Sequence, residues 1–269
     1  MGGRKAGLRE GTALRILMIG DIIGQPGRRA IQRLLPDLRR ELAIDLVIAN
    51  GENAAGGFGI TLETAEELLE SGVDILTSGN HIWDQKEIIS HMDEGLPLVR
   101  PANYPAAPGR GYLVQKGVLV LNLMGRVFMP TLDCPFRTAS QILEEVGEGE
   151  VPQVIVVDFH AEATSEKQGM GWFLDGKVSA VLGTHTHVGT VDARILPRGT
   201  AYLTDVGMTG PVNSVIGSDT NAVLDRFLTG MPQRLPVARG PVVLNSVLVE
   251  VNPDTGRAQS IQRIDRMVE

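Results

Sequence analysis

The chain has 269 residues, 43% of them hydrophobic and 21% charged, a balance that supports a sizeable buried core and excludes disorder as the default state. A net charge of -7 excludes a surface built to neutralise duplex nucleic acid or to lie on an anionic membrane, but leaves small anionic substrates open where bound metal supplies the positive charge. One cysteine, Cys134, excludes an intramolecular disulfide and reads as a buried structural thiol in a reducing compartment.

Residues 1–13 are Gly-rich and basic and are expected to form a flexible tail. The apolar run after them is too short for a signal segment, and no stretch is long enough to span a bilayer, so a cytoplasmic protein is expected. Residues 14–19 read as a buried strand closed by Gly20. Pro26 then opens a helix in which Ile31, Leu34, Leu35, Leu38 and Leu42 recur at helical spacing. Residues 46–49 form a second strand, 61–69 a second helix with start signals at Thr61 and Glu63–Thr64, and 75–78 a third strand.

Strands and helices alternating through short connections predict an α/β fold with a parallel sheet, and place function at the C-terminal strand ends. Further along, residues 100–110 are a Pro/Gly-rich loop, while 111–114 and 118–123 look like a strand pair around Gly117. Residues 154–157 and 180–182 return to buried strands. The partial alternation over 242–251 suits an antiparallel strand, followed by a turn at 254–256 and apolar residues at 261–264, which suggests a mixed or second sheet. With no repeat or linker in view, residues 14–269 are expected to be a single domain.

Each main strand runs at once into residue types that bind metal. The ends are Gly20-Asp21-Ile22-Ile23-Gly24, Asn50-Gly51-Glu52-Asn53, Gly79-Asn80-His81, Asp158-Phe159-His160-Ala161-Glu162 and Gly183-Thr184-His185-Thr186-His187. Taken singly, such an Asp is an N-cap, a Gly-Glu-Asn is a turn and a buried His is a satisfied core residue. Five together at strand ends of one fold point to a shared metal site. His185 and His187 flank one residue, so an extended backbone puts both rings on one side, close enough to serve two ions. Carboxylate, imidazole and amide oxygen without thiolate suit iron, manganese, magnesium or zinc, and Glu52 has two oxygens with which to bridge a pair. The remaining histidine, His91, reads as a surface helix residue.

Gly79-Asn80-His81, His160 and Gly183-Thr184-His185-Thr186-His187 resemble the motif series of calcineurin-like metallophosphoesterases. Together with Gly-Asp-Ile-Ile-Gly, Gly-Glu-Asn-Ala-Ala-Gly-Gly, Gly-Asn-His-Ile-Trp-Asp, the segment 158–167 and Met208-Thr209-Gly210-Pro211, the chain is similar to the bacterial subfamily of 2',3'-cyclic-nucleotide 2'-phosphodiesterases. The resemblance implies two mixed β-sheets flanked by α-helices, two metal ions with iron favoured, and hydrolysis of 2',3'-cyclic and related 3',5'-cyclic nucleotides. It implies that Asp21, Glu52, Asn53 and His187 hold the first ion, and Glu52, Asn80, His160 and His185 the second. The first motif of the wider superfamily carries a His where this chain has Ile23, and the resemblance implies that Asn53 takes its place.

Two-metal chemistry then predicts in-line attack by a bridging hydroxide, with His81 protonating the leaving alkoxide as general acid. A phosphomonoesterase sharing the same site, and a regulator that senses nucleotide or metal without turnover, are the rival readings. Beyond the small phosphate-ester substrate, a homo-oligomer is the only partner expected. The loop 54–59 reads either as glycines that let substrate approach or as a plain turn. Asn103 and Tyr104 are candidates for contacts to a base or for loop filling, and Arg126 for a phosphate contact or a surface ion pair.

Overall fold

Apolar runs bounded by glycine become strands here, and the periodic stretches between them become helices, as the spacing predicts. A computed structural model describes residues 13–147 and 152–268; the predicted tail lies outside them apart from Ala13. In chain order the elements are β1 (Leu14–Ile19), β2 (Asp21–Ile22), α1 (Gly24–Glu41), β3 (Leu46–Asn50), α2 (Leu62–Glu70), β4 (Ile75–Thr77), α3 (Ile88–His91), β5 (Tyr112–Gln115), β6 (Val118–Met124), α4 (Pro135–Gly147), β7 (Val154–His160), α5 (Thr164–Leu174), β8 (Ala180–Thr184), β9 (Arg194–Ile195), β10 (Ala201–Leu203), β11 (Met208–Pro211), α6 (Thr220–Thr229), β12 (Val242–Leu244), β13 (Ser246–Val251), β14 (Ala258–Arg263) and β15 (Arg266–Val268). Among the described residues no helix is long and apolar enough to cross a membrane.

Two mixed sheets stack face to face with helices outside them. One has the order β14-β13-β1-β3-β4, the other β5-β6-β7-β8-β10-β9. Strand alternation sorts the core into layers. Leu17, Ile19, Val47 and Ala49 pack with Ile31, Leu35 and Leu38 of α1 and with Leu68 of α2. Their strand neighbours Ile16, Met18, Leu46 and Ile48 meet Val120, Val156 and Leu182 of the second sheet. The far face of that sheet, through Leu121, Ile155 and Val157, is covered by Ile142 of α4 and Met170 and Leu174 of α5. Helix α2 is started by a reciprocal capping box between Thr61 and Thr64, the signal read at that position.

The expected single strand over 242–251 is broken at Asn245 into β12 and β13, and a third sheet of order β15-β12-β11-β2 results. Gly20 makes the matching break between β1 and β2: a Cβ there would lie 1.9 Å from the Gly207 carbonyl oxygen. The two breaks are joined, since Gly20 N donates to Asn245 O at 3.0 Å. The first sheet therefore bends into the third, and Asp21 sits just past the bend.

Beneath the strand ends a buried polar seam ties the two large sheets together. Asp158 of β7 accepts from Thr184 Oγ1 at 2.6 Å, from Asn50 Nδ2 at 3.3 Å and from Thr77 Oγ1. Asn122 of β6 accepts from Ser78 N at 3.2 Å. Burial pushes the Asp158 carboxyl up, with His160 and these donors pulling against it.

Candidate metal centre

The strand ends converge. Asp21 starts β2, Glu52 and Asn53 lie in the turn after β3, Asn80 and His81 follow β4, His160 ends β7, and His185 and His187 follow β8. Two groups of donor atoms lie within 4.8 Å of one another: Glu52, His160 and His185 in one, Asp21, Glu52 and His187 in the other. Glu52 belongs to both. His160 Nε2 is 3.2 Å from Glu52 Oε1, 3.0 Å from Asn80 Oδ1 and 3.1 Å from His185 Nδ1. Asn53 Nδ2 lies 3.1 Å from Glu52 Oε1 and 3.3 Å from His187 Nε2, and His187 Nε2 is 3.8 Å from Asp21 Oδ1.

Whether these residues suit a cation can be read from their outer contacts. Thr184 Oγ1 gives its proton to Asp158, so it accepts from His160 Nδ1 at 2.9 Å and leaves the Nε2 lone pair facing inward. His187 Nδ1 donates to the Ile216 carbonyl at 2.8 Å, and His185 Nε2 lies 3.1 Å from Glu162 Oε2. Each ring thus has an outer partner that fixes its tautomer and presents its other nitrogen to the centre. Among the described residues, Asp21 Oδ1 and Asn53 Oδ1 are buried and have no hydrogen-bond partner. Orphaned oxygens beside inward imidazole lone pairs make a lining of electron-pair donors, and that donor set fits a cation.

The electrostatics agree. Burial pushes the Asp21 carboxyl up to about 6, against the pull of His187 and His160. Burial also opposes ionisation of Glu52, but His160 beside it wins and holds the carboxyl at about 2. His160 is disfavoured as a cation by burial, yet Glu52, Asp21 and Asp158 bring it to about 9. His185 is driven down to about 3 by burial and then by the charge of His160. Without a metal, a proton on His160 offsets part of the negative charge of this nest of acids.

His81 stands apart from both donor groups. Its backbone N–H donates to Glu52 Oε2 at 3.1 Å, its Nδ1 meets Asp84 Oδ2 at 2.8 Å, and its ring packs edge-on against Phe58 with centroids 5.0 Å apart. It lines a cleft of about 580 Å³ that also contains Glu52, Asn53, His185 and His187. His91 pairs with Glu94 at 2.7 Å and lies away from these groups.

The extended backbone expected over 185–187 is not found. His185 has φ 98° and His187 φ 64°, the left-handed region that a residue with a Cβ rarely adopts. The turn separates the two rings into different donor groups, and it is held from behind. Asp205 Oδ2 accepts from Thr186 N at 3.2 Å and Thr186 Oγ1 at 2.8 Å, and Lys167 Nζ lies 2.5 Å from the same oxygen with both side chains 1% exposed. Strain at such a position persists only where the surroundings over-determine it.

Asn103 is clamped by Met124 and Asp133 backbone groups and fills its loop. Tyr104 stacks edge-on with Trp83, and its hydroxyl is pushed up to about 12, chiefly by burial. Arg126 is exposed, with no ion pair among the described residues. Cys134 is partly exposed rather than buried. In the loop 54–59, Gly56, Gly57 and Gly59 all have positive φ, so the turn itself requires them.

Sequence reasoning passed over Asp158, Thr184, Lys167 and Asp205. The first three lie inside the quoted motif segments, and Asp205 ends the run Ala201-Tyr202-Leu203 as the other acids end theirs.

A family model described as YmdB-like protein matches residues 17–264. A 2',3'-cyclic-nucleotide 2'-phosphodiesterase of Bacillus subtilis is 47% identical over 256 residues, covering 93% of this chain and 96% of that protein. A crystal structure of a hypothetical protein from Thermus thermophilus superposes with a TM-score of 0.88 at 46% identity, covering 94% of this chain and 99% of the other. A phosphatase structure from Mycoplasma pneumoniae gives 0.88 at 34% identity, covering 95% and 94%.

Proposed function

Because the chain belongs to the YmdB-like protein family, we propose that it is a two-metal phosphodiesterase that opens 2',3'-cyclic nucleotides at the 2' oxygen, with 3',5'-cyclic nucleotides as further substrates. The Bacillus subtilis relative bears the name of that activity over nearly the full length of both chains. The observation that carries the reading is the set of three histidines whose outer nitrogens are engaged and whose inner nitrogens converge with the shared carboxylate of Glu52.

Asp21, Glu52, Asn53 and His187 would hold one ion, and Glu52, Asn80, His160 and His185 the other, with iron the metal we expect. When bound, the ions supply charge neutralisation at the phosphoryl oxygens and activation of a water nucleophile. The protein's own part is geometric and protonic. Asp84 holds His81 by Nδ1, so Nε2 faces the cleft and delivers a proton to the departing 2' oxygen as the P–O bond breaks. Water adds to phosphorus, and a nucleoside 3'-phosphate remains. Seam residues Asp158 and Thr184 keep His160 in the required tautomer.

Protein purified with its native metal, quantified by elemental analysis and assayed on a 2',3'-cyclic nucleotide and on its 3'-monophosphate product, tests this directly. About two ions per chain with preferred turnover of the cyclic diester is expected. The Mycoplasma pneumoniae structure is described as a phosphatase, so turnover of the monoester alone would favour that reading. Metal-loaded protein inert on every ester would overturn both.

A further inference from the structure

A second cavity, about 700 Å³, adjoins the metal cleft. The two share a wall made by Phe58, Arg226, Leu235 and Val237. Arg226, Arg234 and Arg239 line this second space, with Gln25, Gln85 and Gln233 beside them and no Asp or Glu. That is unusual in a chain of net charge -7. None of the three arginines has an ion pair among the described residues, and all are exposed. Helix α1 begins at the same cavity through Gln25 and Pro26. Its first turn carries no acid and its cap position, Ile23, makes no side-chain bond, so the positive end of the helix dipole is uncompensated there.

Three unpaired guanidiniums around one space are the arrangement that binds phosphate. Phe58, 41% exposed, stands on the shared wall, and Phe227, 74% exposed, lines the metal cleft. Exposed rings beside a cationic groove are what single-stranded nucleic acid uses for stacking and backbone contact. A cyclic mononucleotide carries only the phosphate that the metal cleft engages, so it would leave the arginine cavity empty.

We propose that the arginine cavity is a second phosphate subsite, for a phosphate on the 5' side of the ribose whose cyclic phosphate is opened, and that the preferred substrate is a short oligoribonucleotide ending in a 2',3'-cyclic phosphate. This rests on the phosphodiesterase reading above. Such ends arise when a 2'-hydroxyl attacks its own neighbouring phosphodiester, so the reaction that supplies this substrate is intramolecular RNA cleavage.

The test compares kcat/KM for a cyclic mononucleotide, the same nucleotide with a 5'-phosphate, and a dinucleotide with the same cyclic end. Wild-type protein is expected to favour both phosphate-extended substrates by about tenfold, the worth of a charge-assisted phosphate contact. Equal gains for the two would assign the preference to the 5'-phosphate, and a larger gain for the dinucleotide would add stacking of the upstream base. In Arg234→Gln/Arg239→Gln the ratio should fall close to one, and the decline of the wild-type ratio with rising salt should be lost with it. Because the ratio is taken within each variant, a general loss of activity does not mimic the result. A wild-type ratio of one, or a ratio unchanged in the double variant, overturns the subsite while leaving the phosphodiesterase reading intact. Inertness on all three substrates overturns both.

Discussion

Replacing Lys167 by Met should destabilise the fold and loosen the metal centre together. Lys167 and Asp205 form an ion pair 2.5 Å long with both side chains 1% exposed. Removing one partner of such a pair leaves the other charge buried, at a cost of about 3–5 kcal/mol. Asp205 would keep three donors, Thr186 N, Thr186 Oγ1 and Gly207 N, which places the loss near about 3 kcal/mol. For a chain of 269 residues, with an unfolding entropy of about 2.1 cal/mol/K per residue, that is a fall in Tm of roughly 5 °C. Calorimetry on metal-free protein reads it without a contribution from lost ligand. Metal retained after dialysis, measured by elemental analysis, should fall as well, because Asp205, which holds the turn carrying His185 and His187, loses the cation that fixes it in place. The double variant Lys167→Met/Asp205→Asn removes the stranded charge while keeping an acceptor oxygen for the donors around it, and should recover part of the Tm. A Lys167→Met protein with the wild-type Tm and full metal content would refute the argument.

Two further outcomes follow from the centre. His81→Ala should slow turnover of a cyclic nucleotide by about 10²–10⁴-fold, since an alkoxide leaves badly unprotonated, and should slow an activated aryl diester far less; equal losses on both would remove His81 from the acid role. Asn53→Ala should release the ion held with Asp21 and His187 while the other stays, and elemental analysis showing two ions per chain would mean that the first is held by something else.

Much of the site was legible because its residues sit where strands end, and strand ends are marked by glycine after an apolar run. Gly79 shows how tight that placement is: a Cβ there would fall 2.2 Å from His160 Nε2 and 2.4 Å from Glu52 Oε2. The third sheet was not legible, because its breaks at Gly20 and Asn245 interrupt otherwise good strand patterns, and only the backbone bond between them explains the bend. Nor was the turn over 185–187. Its left-handed residues are histidines, which give only a weak local signal for positive φ, and the force that holds them comes from Asp205 and Lys167 elsewhere in the chain. Helix α6 and the arginines after it escaped too. Val223, Leu224, Phe227 and Leu228 recur at helical spacing after the cap residue Asp219 and went unread, and the exposure of all but Val223 could be learned only from the fold.

The polar seam of Asp158, Thr77, Asn50 and Thr184 has a consequence for assembly of the fold. It joins β3 and β4 to β7 and β8, segments that lie up to 134 residues apart in sequence, and the same contacts aim His160. Neither sheet by itself contains all the members of either donor group. A refolding chain would therefore gain helices and local hairpins first and its activity only at the last docking step, so catalytic recovery would serve as a clock for the closing of the sandwich.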